Sequence, residues 1–219
     1  MKHLLLTRPR YELTTHYLYY FAKIVIDFAQ NKGNKVYDLK DNRANRHELT
    51  SFLSKKPVDI IFLNGHGQKN CICGQNDEIL LQVNNNEELL KSKIVYALSC
   101  QTAKELGPKA ITKGASAYIG YDEDFVFFTN KEMENKPLKD NRAKLFLEPS
   151  NQVVISLLKG DSPEEAHKKS KAAFAKNIED LLTGKLPEKY LARYLYWDLR
   201  HQVCLCSNNK LAAVACLEK

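Results

Sequence analysis

Two residues with the chemistry of a nucleophile and its base, Cys100 and His66, each follow a short apolar run. His66 lies between two glycines soon after residues 58–63, and Cys100 follows residues 94–98 with one serine between. A thiol becomes a strong nucleophile once a neighbouring imidazole accepts its proton. The pair can therefore support covalent catalysis if the fold brings imidazole and thiol together.

Both apolar runs have the composition of buried parallel strands, because they are rich in β-branched residues and end at small or polar ones. In an open α/β sheet, functional groups collect beyond the carboxyl ends of the strands, which is where His66 and Cys100 stand. Neighbouring strands lie about 5 Å apart. If these two strands pair, the imidazole can meet the thiol.

The residues around this pair carry further expectations. Gly67 lets a ligand approach the backbone closely and leaves its N–H free to donate. Residues 102–111 are expected to form a helix that is kinked or restarted at Pro108. The positive end of that helix would lower the pKa of the Cys100 thiol and make thiolate available.

The order strand, His-Gly, strand, Cys resembles that of the caspase-fold (clan CD) cysteine peptidases. Residues 64–67, Asn-Gly-His-Gly, and residues 97–102, Ala-Leu-Ser-Cys-Gln-Thr, are most similar to the His and Cys motifs of the gingipain and CHAT members. The similarity in strand and helix order covers about residues 1–125. The chain departs from caspases proper, which carry Gln-Ala-Cys before an Arg or Gln.

The resemblance implies a three-layer α-β-α sandwich with a mainly parallel sheet, and hydrolysis of peptide bonds in protein or peptide substrates. His66 would be the general base and Cys100 the nucleophile, while the backbone N–H groups of Gly67 and Cys100 would hold the oxyanion. The group that orients His66 stays open between Asn64 and a backbone carbonyl.

Alternating strands and helices predict one α/β domain over residues 1–219, with a core at 1–128 and a helical part at 143–200 packed on it. The polar stretch 130–142 is predicted to be an exposed loop. We expect five strands in the sheet order 2-1-3-4-5, an order taken partly from the family. Three later helices and a terminal hairpin are also predicted. The strands are residues 3–6, 35–39, 59–63, 94–98 and 115–120; the helices are 143–159, 162–182 and 187–200; the hairpin joins 202–206 to 211–215.

The chain of 219 residues has a net charge of +7, with 27% charged and 44% hydrophobic residues, as in a soluble globular protein. No apolar run approaches the ~20 residues that span a bilayer, and the first run is too short for a signal peptide. We therefore expect a cytoplasmic protein without membrane contact. The lysines are interleaved with acids, which favours a solvated surface over nucleic-acid binding. No Walker-type loop or GxGxxG motif occurs, and no cofactor is predicted.

Six cysteines include two Cys-x-Cys pairs, Cys71 with Cys73 and Cys204 with Cys206. These four thiols and His201 could bind zinc, but structural zinc sites usually place two or more residues between neighbouring ligands. Buried strand cysteines are the better interpretation. We therefore predict no metal site.

Two opposing features concern the substrate side chain before the cleaved bond, P1. Arg8 ends the first strand, where caspases carry an arginine that helps to bind an acidic P1 residue. Asp122 and Asp124 follow the fifth strand and could hold a basic P1 residue, the preference of gingipain R and separase. Arg8 and these acids could also pair with each other. The sequence favours Arg8 slightly, because Pro9 restricts its backbone and a guanidinium can grip a carboxylate with two hydrogen bonds; Asp122 is the rival.

Three functions fit these observations. A regulated intracellular cysteine endopeptidase leads, and a regulatory protein partner is expected because an uncontrolled peptidase is hazardous. A catalytically silent caspase-fold interaction module and an α/β thiol acyltransferase are the alternatives. Labelling of Cys100 by an electrophilic peptide, if it depends on His66, separates an enzyme from a silent module. Peptide cleavage, as against acyl transfer, separates the peptidase from the acyltransferase.

Overall fold

Strands and helices alternate along residues 1–207, the part of the chain described by this computed structural model. The predicted hairpin strand at 211–215 lies outside the described residues. The strands are β1 (His3–Arg8), β2 (Lys35–Lys40), β3 (Ile60–Asn64), β4 (Gly67–Gln68), β5 (Cys71–Cys73), β6 (Ile79–Gln82), β7 (Ile94–Leu98), β8 (Ala117–Tyr121) and β9 (Gln202–Cys206). The α-helices are α1 (Leu13–Asn31), α2 (Arg46–Lys55), α3 (Leu106–Thr112), α4 (Asn141–Lys159), α5 (Pro163–Leu182) and α6 (Ala192–His201).

The main sheet has the order β2-β1-β3-β7-β8-β9. Its first five strands run parallel, and β9 joins the edge antiparallel to β8. The predicted order of the five parallel strands is confirmed. Every residue of β3 and of β8 is buried, as expected for strands covered on both faces.

Helices cover both faces of this sheet because successive strand residues point to opposite sides. On β1, Leu4 and Leu6 face one core with α1 and α4, whereas Leu5 faces the other core with α2 and α3. Ile60 and Ile61 divide in the same way on β3. The result is a three-layer α-β-α sandwich with a mainly parallel sheet, which confirms the predicted fold class. Within residues 1–207, no helix is long and apolar enough to cross a membrane.

A second, three-stranded antiparallel sheet, β4-β5-β6, stands between β3 and β7 in the chain. It begins one residue after His66, so the residue that carries the imidazole connects the two sheets. The ladder between β4 and β5 fixes the backbone on the far side of His66. The histidine is therefore held by a buried strand before it and by a hairpin after it.

The predicted helix over residues 102–111 starts later than expected, at Leu106, and residues 100–105 form turns. The physical reason is the backbone of Gln101, whose φ of 58° is left-handed and cannot continue a right-handed helix. The N–H groups of Gln101 and Ala103 donate to the carbonyls of Glu123 and Tyr121, at 3.1 and 3.0 Å. The turn is thus fastened to the chain that follows β8.

The predicted exposed loop at 130–142 is fastened at its end by Asp140, which is buried. Its carboxylate caps α4 by accepting from the N–H groups of Arg142 and Ala143, at 2.9 and 3.3 Å. It also accepts from the Tyr17 hydroxyl at 2.8 Å and from the Asn130 N–H at 2.6 Å. The prediction of a wholly exposed loop is therefore wrong at Asp140, because this side chain caps a helix and binds α1.

We expect Asp140→Ala to lower the free energy of unfolding by about 2 kcal/mol or more, measured by urea denaturation. A lost helix cap removes about 1 kcal/mol, and a buried hydroxyl left without its partner, here that of Tyr17, adds about 1–3 kcal/mol. Glu132→Ala in the same segment is the control, because Glu132 is exposed, and it should change stability by under about 0.5 kcal/mol. Equal effects of the two variants would contradict the role of Asp140.

Candidate active site

The loops that carry His66 and Cys100 are in direct contact. They follow β3 and β7, which pair with each other up to Asn64 and Leu98. The Ser99 hydroxyl donates to the Gly65 carbonyl at 2.7 Å. A Cβ placed on Gly67 would lie 2.8 Å from the Cys100 carbonyl oxygen, so only glycine allows this approach. The structure therefore brings together the two backbone segments that the sequence singles out.

The N–H of Gly67 is left out of the β4–β5 ladder. The Cys73 N–H donates to the His66 carbonyl at 2.8 Å, which makes this pair a hydrogen-bonded one. Hydrogen-bonded and non-hydrogen-bonded pairs alternate in an antiparallel ladder, so the next pair, Gly67 with Ile72, is of the second kind. The Gly67 N–H thus points away from β5, as its predicted role as an oxyanion donor requires.

The Cys100 thiol is partly buried, and its sulfur lies 4.0 Å from the carbonyl oxygen of Phe125. Burial raises the pKa of the Cys100 thiol above its ordinary value; Asp124 raises it further, and the backbone of Phe125 offsets part of the rise. The expected lowering of this pKa is therefore wrong. Its proposed source, the positive end of a helix that starts at Thr102 directly after the Cys100 turn, is displaced because α3 begins at Leu106.

The His66 ring is half exposed and lies beside a carboxylate that the sequence did not identify, with Nε2 3.5 Å from Oε1 of Glu12. Glu12 caps α1, and its carboxylate accepts from the backbone N–H groups of Thr14 and Thr15. Asn64, considered as an orienting group, instead donates its amide to the Thr7 carbonyl at 3.0 Å. The sequence signal for Glu12 was its place directly before the amphipathic pattern of α1, where a cap is expected.

The Glu12 carboxylate is held in its ionised form. Burial alone would raise the pKa of Glu12, but the donors of Thr15 and Thr14, together with His66, outweigh burial and place this pKa below its ordinary value. Glu12 is therefore negatively charged at neutral pH and can stabilise an imidazolium at His66. Among residues 1–207, no hydrogen bond joins the His66 ring to the Cys100 sulfur. The His66 ring contacts Glu12, and the Cys100 sulfur contacts Phe125.

Arg8 does not face the two loops with a free guanidinium. Its side chain is buried, and two of its nitrogens contact the two carboxylate oxygens of Asp38. A third nitrogen donates to the Tyr19 carbonyl at 3.1 Å, and the Tyr19 ring stacks on the guanidinium at 4.2 Å. The fork of donors that was expected to grip a substrate therefore grips Asp38, and the substrate-binding role of Arg8 stays a prediction.

Asp122 is 41% exposed and accepts from His201 Nδ1 at 2.8 Å. The predicted alternative of an Arg8–Asp122 pair is not found, since each has a different partner. Asp124 directly precedes Phe125, whose carbonyl oxygen lies 4.0 Å from the Cys100 sulfur, and its carboxylate accepts from the Gln101 amide at 2.8 Å. Of the two acids at the end of β8, Asp124 is therefore the one held beside the loop that carries Cys100.

One groove is lined by His66, and a second passes Glu12. One, of about 590 Å³, is lined by His66, Gly67, Cys73 and Asp77 among others. The other, of about 510 Å³, runs past Glu12 between the start of α1 and the segment that contains Glu134. Cys100 lines neither of these two grooves. A ligand can therefore reach His66 from solvent, while the thiol is less accessible than the imidazole.

The two Cys-x-Cys pairs lie on β5 and β9. Cys71 is buried and Cys73 is partly buried, and the sulfurs of Cys204 and Cys206 are 3.7 Å apart. His201 contacts Asp122. In the described part of the chain, no group of three or more His, Cys, Asp or Glu side chains is arranged to hold a metal ion. The absence of a metal stays a prediction.

Comparisons with known proteins give matches among solved structures, whereas no protein-family model and no curated protein matches this sequence. Gingipain R, described as an Arg-specific cysteine proteinase, matches over 94% of this chain and 46% of its own, with a TM-score of 0.59 and 9% identity. A secreted C11 cysteine protease from Bacteroides thetaiotaomicron covers 56% of this chain and 52% of its own (TM-score 0.42, 9% identity). A C11 protease from Parabacteroides distasonis, an inactive zymogen, covers 92% and 82% (TM-score 0.42, 12% identity).

The chain has the caspase-like fold. The superposition on gingipain R decides this, because it extends over 94% of the chain. The resemblance to caspase-fold (clan CD) peptidases is thereby confirmed, while the finer resemblance to CHAT domains stays a prediction. This chain spans about half the length of the gingipain R and Bacteroides protease chains that it matches. At 9% identity the likeness concerns the fold, and the roles of His66 and Cys100 stay predictions.

The charge of Glu12 can be tested through the pH dependence of stability. A carboxyl whose folded pKa is lowered adds stability above its ordinary pKa of 4.5, and this stability is lost as the pH falls through the folded value. We expect Glu12→Gln to be less stable than wild type by about 1 kcal/mol at pH 7, the usual size of a cap and helix-end charge effect. The difference should shrink below pH 4.5.

The measurement is urea unfolding of wild type and Glu12→Gln at several pH values, with Glu132→Gln as the control at an exposed site. The control should follow wild type at every pH. A Glu12→Gln difference that stays constant through the acid range would show that the carboxylate is not preferentially ionised in the folded state.

Proposed function

We propose that this protein is a cysteine peptidase that hydrolyses peptide bonds in protein or peptide substrates, with Cys100 as nucleophile and His66 as general base. The observation that carries the proposal is the close approach of Gly67 to the Cys100 backbone, at the carboxyl ends of two paired strands. The caspase-like fold supports it, because gingipain R, which shares the fold, is a cysteine proteinase.

The proposed reaction begins with transfer of the Cys100 thiol proton to His66. The thiolate attacks the scissile carbonyl carbon, and the C=O electron pair moves to oxygen, which accepts hydrogen bonds from the N–H groups of Gly67 and Cys100. The C–N bond then breaks, and His66 gives its proton to the leaving amine. Water, deprotonated by His66, cleaves the thioester, and the thiol is restored.

Two features of the site suit a base-assisted mechanism. The raised pKa of Cys100 keeps the resting thiol neutral, so a base must remove the proton during the reaction. The ionised Glu12 carboxylate, 3.5 Å from Nε2 of His66, stabilises the imidazolium that this transfer creates. Glu12 is thus assigned the orienting role that the sequence left open.

The geometry favours a basic rather than an acidic P1 residue. Asp124 is held beside the loop that carries Cys100 by the Gln101 amide, and Asp122 is partly exposed two residues before it. Arg8 is buried, and the paired donors that could grip an acidic side chain already bind Asp38. Gingipain R is described as Arg-specific. We therefore assign P1 recognition to the acids after β8, with Asp124 as the primary contact.

A catalytically silent interaction module is the second candidate. The observation that favours it is the Cys100 thiol, which is neutral at rest and contacts Phe125 rather than His66. Such a module would keep the fold and bind a partner without cleaving it. Cytoplasmic location and control by a regulatory protein remain part of the proposal for either function.

The first test is peptide cleavage by purified protein. We expect Cys100→Ala to abolish turnover and His66→Ala to lower it by about 10²–10⁴-fold, the usual contribution of a general base. Cys204→Ala is the matched control, because Cys204 lies on β9 and lines neither groove, and it should retain turnover. Cleavage that survives Cys100→Ala would exclude the proposed nucleophile.

The second test concerns P1 and uses matched peptides with Arg, Lys, Asp, Glu or Leu at that position. We expect Arg and Lys peptides to be cleaved best, and Asp124→Asn to lower kcat/KM for them about 10-fold or more, the range measured for close charged pairs. Arg8→Lys is the control, because Arg8 is assigned no substrate contact. Preference for Asp or Glu that disappears in Arg8→Lys would restore the original assignment of Arg8.

A further inference from the structure

Residues 122–126, which we call the strap, leave the end of β8 and lie against the Cys100 thiol. The Phe125 carbonyl oxygen is 4.0 Å from the sulfur, and the Asp124 carboxylate accepts from the amide of Gln101, the residue after Cys100, at 2.8 Å. The turn after Cys100 is fastened to the same segment, since the Gln101 N–H donates to the Glu123 carbonyl at 3.1 Å. The strap and the loop that carries Cys100, which we call the thiol loop, therefore pack together, and the sulfur faces the strap.

Helix α6 holds the strap at every second residue. Three residues of α6, within little more than one helical turn, supply these contacts. They bind the side chain of Asp122, the carbonyl of Asp124 and the N–H of Val126. The contacts are His201 Nδ1 to Asp122 Oδ1 at 2.8 Å, Trp197 Nε1 to the Asp124 carbonyl at 2.8 Å, and the Val126 N–H to Asp198 Oδ1 at 3.0 Å.

Asp198 is the buried member of the three α6 residues that bind the strap. Its side chain is fully buried; one oxygen accepts from Val126, and the other has no hydrogen-bond partner among residues 1–207. Burial raises the pKa of Asp198 well above its ordinary value. The ring of Phe125 packs 4.8 Å from the ring of Tyr121, the last residue of β8. The strap is therefore anchored from the core as well as from α6.

The strap covers the Cys100 sulfur but leaves His66 accessible to solvent. His66 faces a groove of about 590 Å³, while the sulfur that must attack a carbonyl carbon is next to a backbone carbonyl of the chain itself. Attack requires the reacting atoms to approach to about 3–3.5 Å. A substrate carbonyl that approaches the sulfur from the side of the strap must displace the Phe125 carbonyl.

We propose that the strap is an autoinhibitory cover of Cys100, and that Trp197, Asp198 and His201 are positioning residues that keep it closed. Cys100 becomes an available nucleophile when residues 122–126 leave α6. The proposal rests on the proposed function only for the role of Cys100 as nucleophile. Access to the thiol can be measured without any substrate, so the two proposals can fail separately.

The test is alkylation of the full chain by iodoacetamide at pH 8, with the rate at each cysteine measured by mass spectrometry. Trp197→Phe removes the indole N–H and keeps a ring, and His201→Phe removes the donor to Asp122. We expect each variant to alkylate Cys100 about fivefold faster, the shift in open population when one ordinary hydrogen bond is lost. The double variant should be faster than either single variant, because it removes both contacts from one strap.

Tyr196→Phe is the matched control, because this exposed α6 residue makes none of the three strap contacts, and it should leave the Cys100 rate unchanged. Cys73 and Cys204 are internal references whose rates should stay constant in all variants. Equal acceleration at all three cysteines would mean general loosening and would overturn the proposal. So would a wild-type Cys100 rate equal to that in urea, or an unchanged Cys100 rate in the double variant.

Peptide cleavage, measured in parallel, separates the two proposals. Protection of Cys100 that is released by the α6 variants, without cleavage of any peptide, would support the strap and reject the peptidase. Cleavage by a protein whose Cys100 is as reactive as the unfolded thiol would support the peptidase and reject the strap.

Discussion

The close contact between Gly67 and the backbone of Cys100 is the constraint on which the rest of the site depends. A Cβ at position 67 would lie under 3 Å from the Cys100 carbonyl oxygen, the Thr102 methyl group and the Ser99 Cβ. Gly65, with a φ of +143°, meets a similar limit, since a Cβ there would lie 2.3 Å from the Cys73 carbonyl oxygen. The two glycines let the His66 loop fit between the thiol loop and β5, which fixes the direction of the Gly67 N–H.

The sheet, rather than the loops themselves, fixes the relative position of His66 and Cys100. Five parallel strands with buried residues on both faces place the ends of β3 and β7 side by side, and a one-residue slip would turn every core side chain to the wrong face. His66 and Cys100 therefore inherit their relative position from the core rather than from each other. This explains how the two loops stay in register without a hydrogen bond between imidazole and thiol.

The fold and the proximity of the loops that carry His66 and Cys100 could be predicted because their signals are local. Apolar runs of strand length, and glycines on either side of His66, are visible in the sequence, and the strand order followed from the family resemblance. The start of α3 could not be predicted, because the left-handed backbone of Gln101 depends on hydrogen bonds to the chain after β8. The partner of Arg8 could not be predicted for a similar reason, since Asp38 comes next to Arg8 only through the pairing of β1 with β2. The contact of Glu12 with His66 was missed, because the sequence around a helix cap does not indicate which distant residue the cap will meet.

The electrostatics of the site link substrate charge to the reactivity of the thiol. Asp124 helps to raise the pKa of Cys100, so the carboxylate proposed to bind a basic P1 residue also keeps the nucleophile neutral. A cationic side chain that pairs with Asp124 would neutralise this charge and favour thiolate. It would also compete for the strap residue that binds Gln101 and, through its carbonyl, Trp197. Under the proposed function, binding of the correct side chain and exposure of the nucleophile would thus be one event, while a substrate without a positive charge would leave both the strap and the thiol at rest.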